Sequence, residues 1–183
     1  AQGRLLDILR RLSCFGLSLL RLDFRQESDR HTQAMDAITQ ALGLGSYESW
    51  TEDEKIDFLV KELQSPRPLV PHDFTANAEV MDVLETFRVA AESHPESLGA
   101  YVISMARQPS DVLAVALFQK DAGVHPPMRI VPLFETRTDL ENASATMERL
   151  YNIDWYRTQI QGRQELMLGY SDSAKDAGRL SAA

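Results

Sequence analysis

Residues 166–178 read L-M-L-G-Y-S-D-S-A-K-D-A-G. The run opens on three apolar side chains, Leu166, Met167 and Leu168. It then turns polar, with Asp172, Ser173, Lys175 and Asp176. Small residues and a glycine follow, then Arg179 and Leu180. A short apolar run, a tight polar turn and small helix-forming residues predict a buried strand, a turn and a helix start. Asp172 or Ser173 can cap that helix, because each offers an oxygen to its unpaired N–H groups. A carboxylate, an ammonium and a helix N-terminus within a few residues suit a metal ion and an anionic substrate. The same features also describe an ordinary strand-to-helix loop with a capping aspartate, and this stretch alone leaves both readings open.

Working outward, the same unit recurs. Residues 1–13 have Leu5, Leu6, Leu9 and Leu12 on one side of a helix, stopped at Phe15-Gly16. Residues 17–24 predict a first strand, and 29–42 a helix with Met35, Ile38 and Leu42 at helical spacing. Thr51 and Glu54 form a capping box for a helix reaching about residue 63. A loop with three prolines precedes an amphipathic helix over 77–93, with Val80, Val83, Leu84, Phe87 and Ala91 as its stripe. The second strand is expected at 100–106, and a helix opens at Pro109-Ser110-Asp111. The third strand is expected at 129–134, followed by Glu135. A capping box at Thr138 and Glu141 opens the next helix, and 154–161 is a short link. Strands alternating with helices imply βαβ units and a parallel sheet. No G-x-G-x-x-G follows any strand, so a dinucleotide fold is not favoured. The fold class expected is α/β, with four strand–helix units forming about half of an eight-stranded parallel α/β barrel with extra helices. No repeat in the sequence supports this; element order alone carries it. Because 1–13 reads as the middle of a helix and 173–183 as one that has only begun, the chain is expected to be a single segment of a longer protein.

The 183 residues suffice for one domain with a real core. With 44% apolar and 25% charged residues, the composition is globular. A net charge of −8 argues against nucleic-acid binding and against docking on anionic membranes. The single cysteine, Cys14, excludes an internal disulfide and a multi-cysteine metal site. Its apolar helical setting reads as a buried structural thiol. No apolar run reaches the ~18 residues that span a bilayer, and no secretory signal is visible, so a cytoplasmic chain is expected.

Candidate chemistry collects where strands end. Arg25 follows the first strand, Glu135 the third and Asp172 the fourth. In parallel α/β folds the carboxyl ends of the strands form the active face. Two carboxylates without a cysteine partner make a hard-cation site for Mg²⁺ or Mn²⁺. An arginine on that rim suits a phosphate or carboxylate, and Lys175 adds a movable positive charge. Each also has a plainer role: Glu135 and Asp172 as caps, Arg25 in a surface pair with Glu27 or Asp29. His31 lies at a helix start near Arg25, with a supporting role open. His72, His94 and His125 lie in or beside loops and read as solvated. No Ser/His/Asp or Cys/His arrangement stands out.

Longer motifs carry a resemblance. They are L-D-F-R-Q-E-S-D-R-H (22–31), Y-E-S-W (47–50), A-Y-V-I-S-M-A (100–106), S-D-V-L-A-V (110–115), P-L-F-E-T (132–136), D-L-E-N-A (139–143), N-I-D-W-Y-R (152–157) and M-L-G-Y-S-D-S-A-K-D-A-G (167–178). With these motifs spread along nearly its whole length, the chain resembles the phosphoenolpyruvate carboxylase family. The resemblance implies a lyase that turns phosphoenolpyruvate and bicarbonate into oxaloacetate, which feeds the tricarboxylic acid cycle, and phosphate, with Mg²⁺ or Mn²⁺. It implies that Glu135 and Asp172 are the metal ligands, that Arg25 holds the substrate phosphate, and that Lys175 helps organise the site. It also implies a largely helical protein around an eight-stranded α/β (TIM) barrel, assembled as a homotetramer with the rest of the carboxylase chain.

The departures are as informative. The family's T-A-H-P motif, whose histidine serves as general base, is not in this chain, nor is its F-H-G-R-G-G loop. The isolated chain is therefore expected not to turn over. Two further readings stand beside this one: a non-catalytic half-barrel that self-associates, and another metal-dependent enzyme acting on an enol phosphate.

Overall fold

The computed structural model describes residues 3–16, 20–169 and 175. Asp172 lies outside the described residues, as do the start of the expected first strand and most of the expected last helix.

Four strands form one sheet. They are β1 (Leu22–Glu27), β2 (Leu98–Ser104), β3 (Arg129–Phe134) and β4 (Met167–Leu168). Their spatial order is β1-β2-β3-β4, and every neighbouring pair is parallel. Strand order thus follows chain order without reversal among the described residues. A doubly wound sheet instead reverses direction at a switch point.

The helices are α1 (Arg4–Phe15), α2 (Ser28–Ala41), α3 (Glu52–Gln64), α4 (Ala78–Glu92), α5 (Pro109–Ala122), α6 (Arg137–Tyr151) and α7 (Asp154–Ile160). Local chemistry sets several of their ends. Thr51 Oγ1 accepts from the Glu54 N–H at 3.3 Å, and the Thr51 N–H donates to Glu54 Oε2 at 2.7 Å. That is the expected capping box. Asn77 caps α4 by accepting from the Val80 N–H at 2.9 Å. The helix after β3 is capped by Thr136 and Asp139 rather than by Thr138 and Glu141, because β3 stops at Phe134 and the helix begins at Arg137.

Alternation along the strands sorts the core into two layers. Tyr101 and Ile103 of β2 and Phe134 of β3 face the helices, in a cluster with Met35, Ile38, Leu59, Phe87, Leu113 and Phe118. The Tyr101 and Phe87 rings stack with centroids 4.9 Å apart. Helix α5 is buried nearly all round, which fits a helix wedged between the sheet and other helices. Ala100 and Val102 point the other way and cluster with Val131 and Leu133, with Met167 against them. The middle of the sheet is therefore apolar on both faces, as parallel sheets usually are.

Three further expectations change. The first strand runs over Leu22–Glu27, so Arg25 lies within β1 rather than after it. Pairing with β2 decides this: Phe24, Arg25, Gln26 and Glu27 register with Tyr101, Val102, Ile103 and Ser104. The register slips at Asp23, whose carboxylate accepts the Ala100 N–H at 2.7 Å. Second, β2 ends at Ser104, since Met105 adopts a left-handed φ of 55° and its carbonyl accepts from Ser28 Oγ at 2.7 Å. Third, Cys14 is exposed, because α1 buries none of its residues; Leu5, Ile8, Leu9, Leu12 and Phe15 are all exposed.

Candidate active site

The site forms on the sheet face that carries Val102, Val131 and Leu133. Arg25 is in register with Val102, and Glu135 follows Val131 and Leu133 at alternating positions. Both side chains therefore leave the sheet on the same side. Arg25 Nη2 donates to Glu135 Oε1 at 2.5 Å. The Glu135 side chain is 11% exposed and that of Arg25 56%. A nearly buried carboxylate thus meets a cation whose remaining donors stay in water. Such a carboxylate is costly to leave unpaired, so the contact fixes its direction.

Glu135 is also held from behind. Asp139 Oδ2 accepts from the backbone N–H groups of Glu135, at 3.3 Å, and Thr136, at 3.0 Å. Asp139 is itself buried, and its Oδ1 lies 3.8 Å from Arg107 Nε. On the other side, the Gly169 N–H donates to the Phe134 carbonyl at 2.9 Å, extending the β3–β4 register by one step.

Of the four residues singled out in the sequence, the structure brings Arg25 and Glu135 together. Lys175 is helical and exposed. His31 does not stand behind Arg25. It is buried against Tyr101, Phe87 and Phe118, with Nε2 2.8 Å from the Tyr101 hydroxyl. Burial, with Arg30 adding to it, pushes its pKa down to about 3, so it is a neutral core residue. Asp139 and Gly169 went unnoticed in the sequence as parts of the site. The T-x-x-D spacing after β3 was the available signal for Asp139.

No helix among the described residues is long and apolar enough to cross a membrane. Among the described residues no group of three or more His, Cys, Asp or Glu side chains is placed to hold a metal. Glu135 supplies one buried carboxylate, an oxygen donor of the hard kind that Mg²⁺ and Mn²⁺ take.

A parallel α/β sheet with a buried acid and a half-solvated arginine at its carboxyl-side rim defines an α/β protein with the makings of an anion-and-cation site. Comparison with known proteins narrows the class. The phosphoenolpyruvate carboxylase family matches over residues 1–183, and the chain belongs to that family, a lyase family. It is 58% identical to the phosphoenolpyruvate carboxylase of Amaranthus hypochondriacus over 183 residues, all of this chain and 19% of that protein. Phosphoenolpyruvate carboxylase 2 of Zea mays matches equally, at 58% identity over the same spans. The phosphoenolpyruvate carboxylase of Acinetobacter baylyi is 56% identical over 189 residues, covering all of this chain and 21% of the relative. The chain thus spans about a fifth of the length of the curated relatives it matches.

Proposed function

We propose that this chain supplies the metal-binding and phosphate-binding rim of a phosphoenolpyruvate carboxylase, on an arc of an eight-stranded α/β barrel. The observation that carries the reading is the Arg25–Glu135 contact, formed toward the carboxyl side of a sheet whose order follows the chain. An unreversed parallel order is what an arc of a barrel requires. The apolar second face fits a barrel interior, which is filled with side chains.

Glu135 and Asp172 would hold Mg²⁺ or Mn²⁺. When bound, the ion supplies positive charge to offset the negative charge that grows on the substrate. In the proposed reaction a bicarbonate oxygen attacks the phosphorus of phosphoenolpyruvate, and the bond from phosphorus to the enol oxygen breaks. Carboxyphosphate and the pyruvate enolate result. Carboxyphosphate then parts into CO₂ and phosphate, and the enolate carbon attacks CO₂ to give oxaloacetate. Arg25 donates one N–H to Glu135. The rest of its planar fork is left to bind the phosphoryl oxygens through the transfer. Lys175 is assigned to organising the same anionic centre. The segment works within a cytoplasmic homotetramer, and alone it lacks the general base and most of the anion clamp. It is therefore inactive in isolation.

Mn²⁺ titration followed by electron paramagnetic resonance tests this reading. The carboxylase carrying this segment binds Mn²⁺, and Glu135→Gln weakens binding at least tenfold. Equal affinity in the two proteins would remove Glu135 from the metal site.

A second reading has one observation in its favour. Leu22 on β1 and Leu168 on β4, the outer strands of the described sheet, are 70% and 60% exposed. A half-barrel closing on a second copy would cover them. Sedimentation decides, since that reading requires a stable dimer of the 183-residue chain.

A further inference from the structure

Glycine is usually kept for one of two reasons: a backbone torsion that side chains resist, or the close approach of another atom. Gly43, Gly123 and Gly162 are of the first kind, with φ of 71°, 77° and 75° and open space where a Cβ would go. Gly169 is of the second kind. It is absent from the positive-φ glycines, so its torsion is one that other residues adopt. A Cβ built on it would lie 2.9 Å from Glu135 Cγ, 3.1 Å from Glu135 Cα and 3.2 Å from Glu135 Cβ. All three atoms belong to the residue whose carboxylate meets Arg25.

None of these contacts can relax freely. Gly169 is tied to β3 by its N–H bond to Phe134 O at 2.9 Å. The Glu135 backbone is tied to Asp139 Oδ2 at 3.3 Å, and its carboxylate to Arg25 at 2.5 Å. Register explains the proximity. Leu133 pairs with Met167 and Phe134 with Leu168, so the next step sets Gly169 beside Glu135. A methyl group there must rotate Glu135 about its first side-chain torsion to clear Cγ, the nearest contact, and must also press β4 slightly away from β3 to clear Cα and Cβ, which that rotation does not move. The β3–β4 pairing limits the second movement, and the first swings the carboxylate away from Arg25.

We infer that Gly169 is a positioning residue, whose missing side chain leaves the slot in which Glu135 is aimed at Arg25 and at the metal site. The part about the metal rests on the proposed role of Glu135; the part about Arg25 does not. Gly169 touches no substrate in this account and acts only through Glu135.

The test uses the intact carboxylase that carries this segment. One arm is a double-mutant cycle on Tm between Arg25→Met and Glu135→Gln, measured with Gly169 and again with Gly169→Ala. With Gly169 the two substitutions are coupled, and with alanine that coupling falls by at least half. Unchanged coupling overturns the inference. The second arm is Mn²⁺ affinity. Gly169→Ala weakens it at least tenfold, while Leu168→Ala, one residue away with an exposed side chain, leaves it within twofold. Equal effects of the two substitutions would mark Gly169 as a strand residue only and overturn its positioning role. If Glu135→Gln itself leaves Mn²⁺ binding unchanged, the metal assignment fails, and the Tm cycle still decides the role of Gly169. Should Gly169→Ala fail to fold, the Gly169→Ala/Glu135→Gly pair decides. Recovery of folded protein supports the slot, and continued failure overturns it.

Discussion

Arg25 and Glu135, 110 residues apart in the chain, meet at 2.5 Å on the apolar second face of the sheet. The partners are unequal: the arginine is half in water and the glutamate nearly out of it. Because Arg25 is well solvated, the pair itself adds only about 1 kcal/mol to stability. In the proposed reaction its larger effect is on chemistry. Arg25→Met is expected to lower Tm slightly and to lower kcat/KM of the intact carboxylase by about 10²-fold or more, on the scale of losing one preorganised donor to a developing charge. Steady-state kinetics beside thermal melting separates the two, and a large Tm loss with unchanged kcat/KM would refute the assignment.

His31 makes the acid side of the stability profile predictable. Its pKa is held at about 3 by burial and by Arg30, against 6.5 for an ordinary histidine. As pH falls the unfolded chain takes up this proton first. The stability His31 gives is therefore complete above about pH 6.5 and is lost progressively toward pH 3. His31→Gln should flatten the fall of Tm between pH 6.5 and 4. A slope identical to that of the unsubstituted protein would show that His31 does not control it.

Asp111 acts in the opposite sense. Burial pushes its pKa up from 3.8 to about 6, partly offset by the Arg107 and Gln108 N–H groups that it accepts at 2.9 and 3.0 Å. Its contribution is present below pH 4 and is lost as pH rises through about 6. One oxygen, Oδ2, takes both N–H groups, so asparagine can keep the cap. Asp111→Asn is expected to hold or raise Tm at pH 7–8 relative to pH 4–5. A marked loss at pH 7–8 would mean that the charge itself is needed.

Local reading reached much of this and stopped at identifiable places. The Thr51–Glu54 box is legible because a helix start is written in four adjacent residues. Thr136/Asp139 and Thr138/Glu141 both satisfy that spacing, and only the position where β3 stops, set by pairing with β2 and β4, chooses between them. The end of the first strand is hidden for the same kind of reason. The polar D-F-R-Q-E looks little like a strand, yet Leu22 and residues 24–27 pair with β2 and carry the strand on past its expected end at 24. An amphipathic pattern suggests a buried Cys14, but a pattern cannot say what covers the stripe. At the site, strand order was enough to put Arg25 and Glu135 on one rim. The slot at Gly169 is a tertiary distance and leaves no local trace.

The slip in β1 offers a stability test remote from the site. A Cβ on Gly99 would meet Asp23 Oδ1 at 2.1 Å and the Leu22 carbonyl oxygen at 3.1 Å. Gly99→Ala must therefore displace the carboxylate that accepts the Ala100 N–H. A loss of about 1–3 kcal/mol is expected from the crowding and the lost acceptor. Asp23→Ala should cost a similar amount, and the double variant less than the sum of the two. Strict additivity in denaturant unfolding would contradict this account of the slip.

This chain is proposed to carry the metal and phosphate end of a carboxylase site. The most direct test is oxaloacetate formation from phosphoenolpyruvate and bicarbonate with Mg²⁺. The 183 residues are assayed alone and then mixed with the flanking parts of the carboxylase, each with a Glu135→Gln control. No turnover is expected alone, turnover on mixing, and its loss in the control. Turnover by the isolated chain, or turnover on mixing that survives Glu135→Gln, would contradict the proposed role.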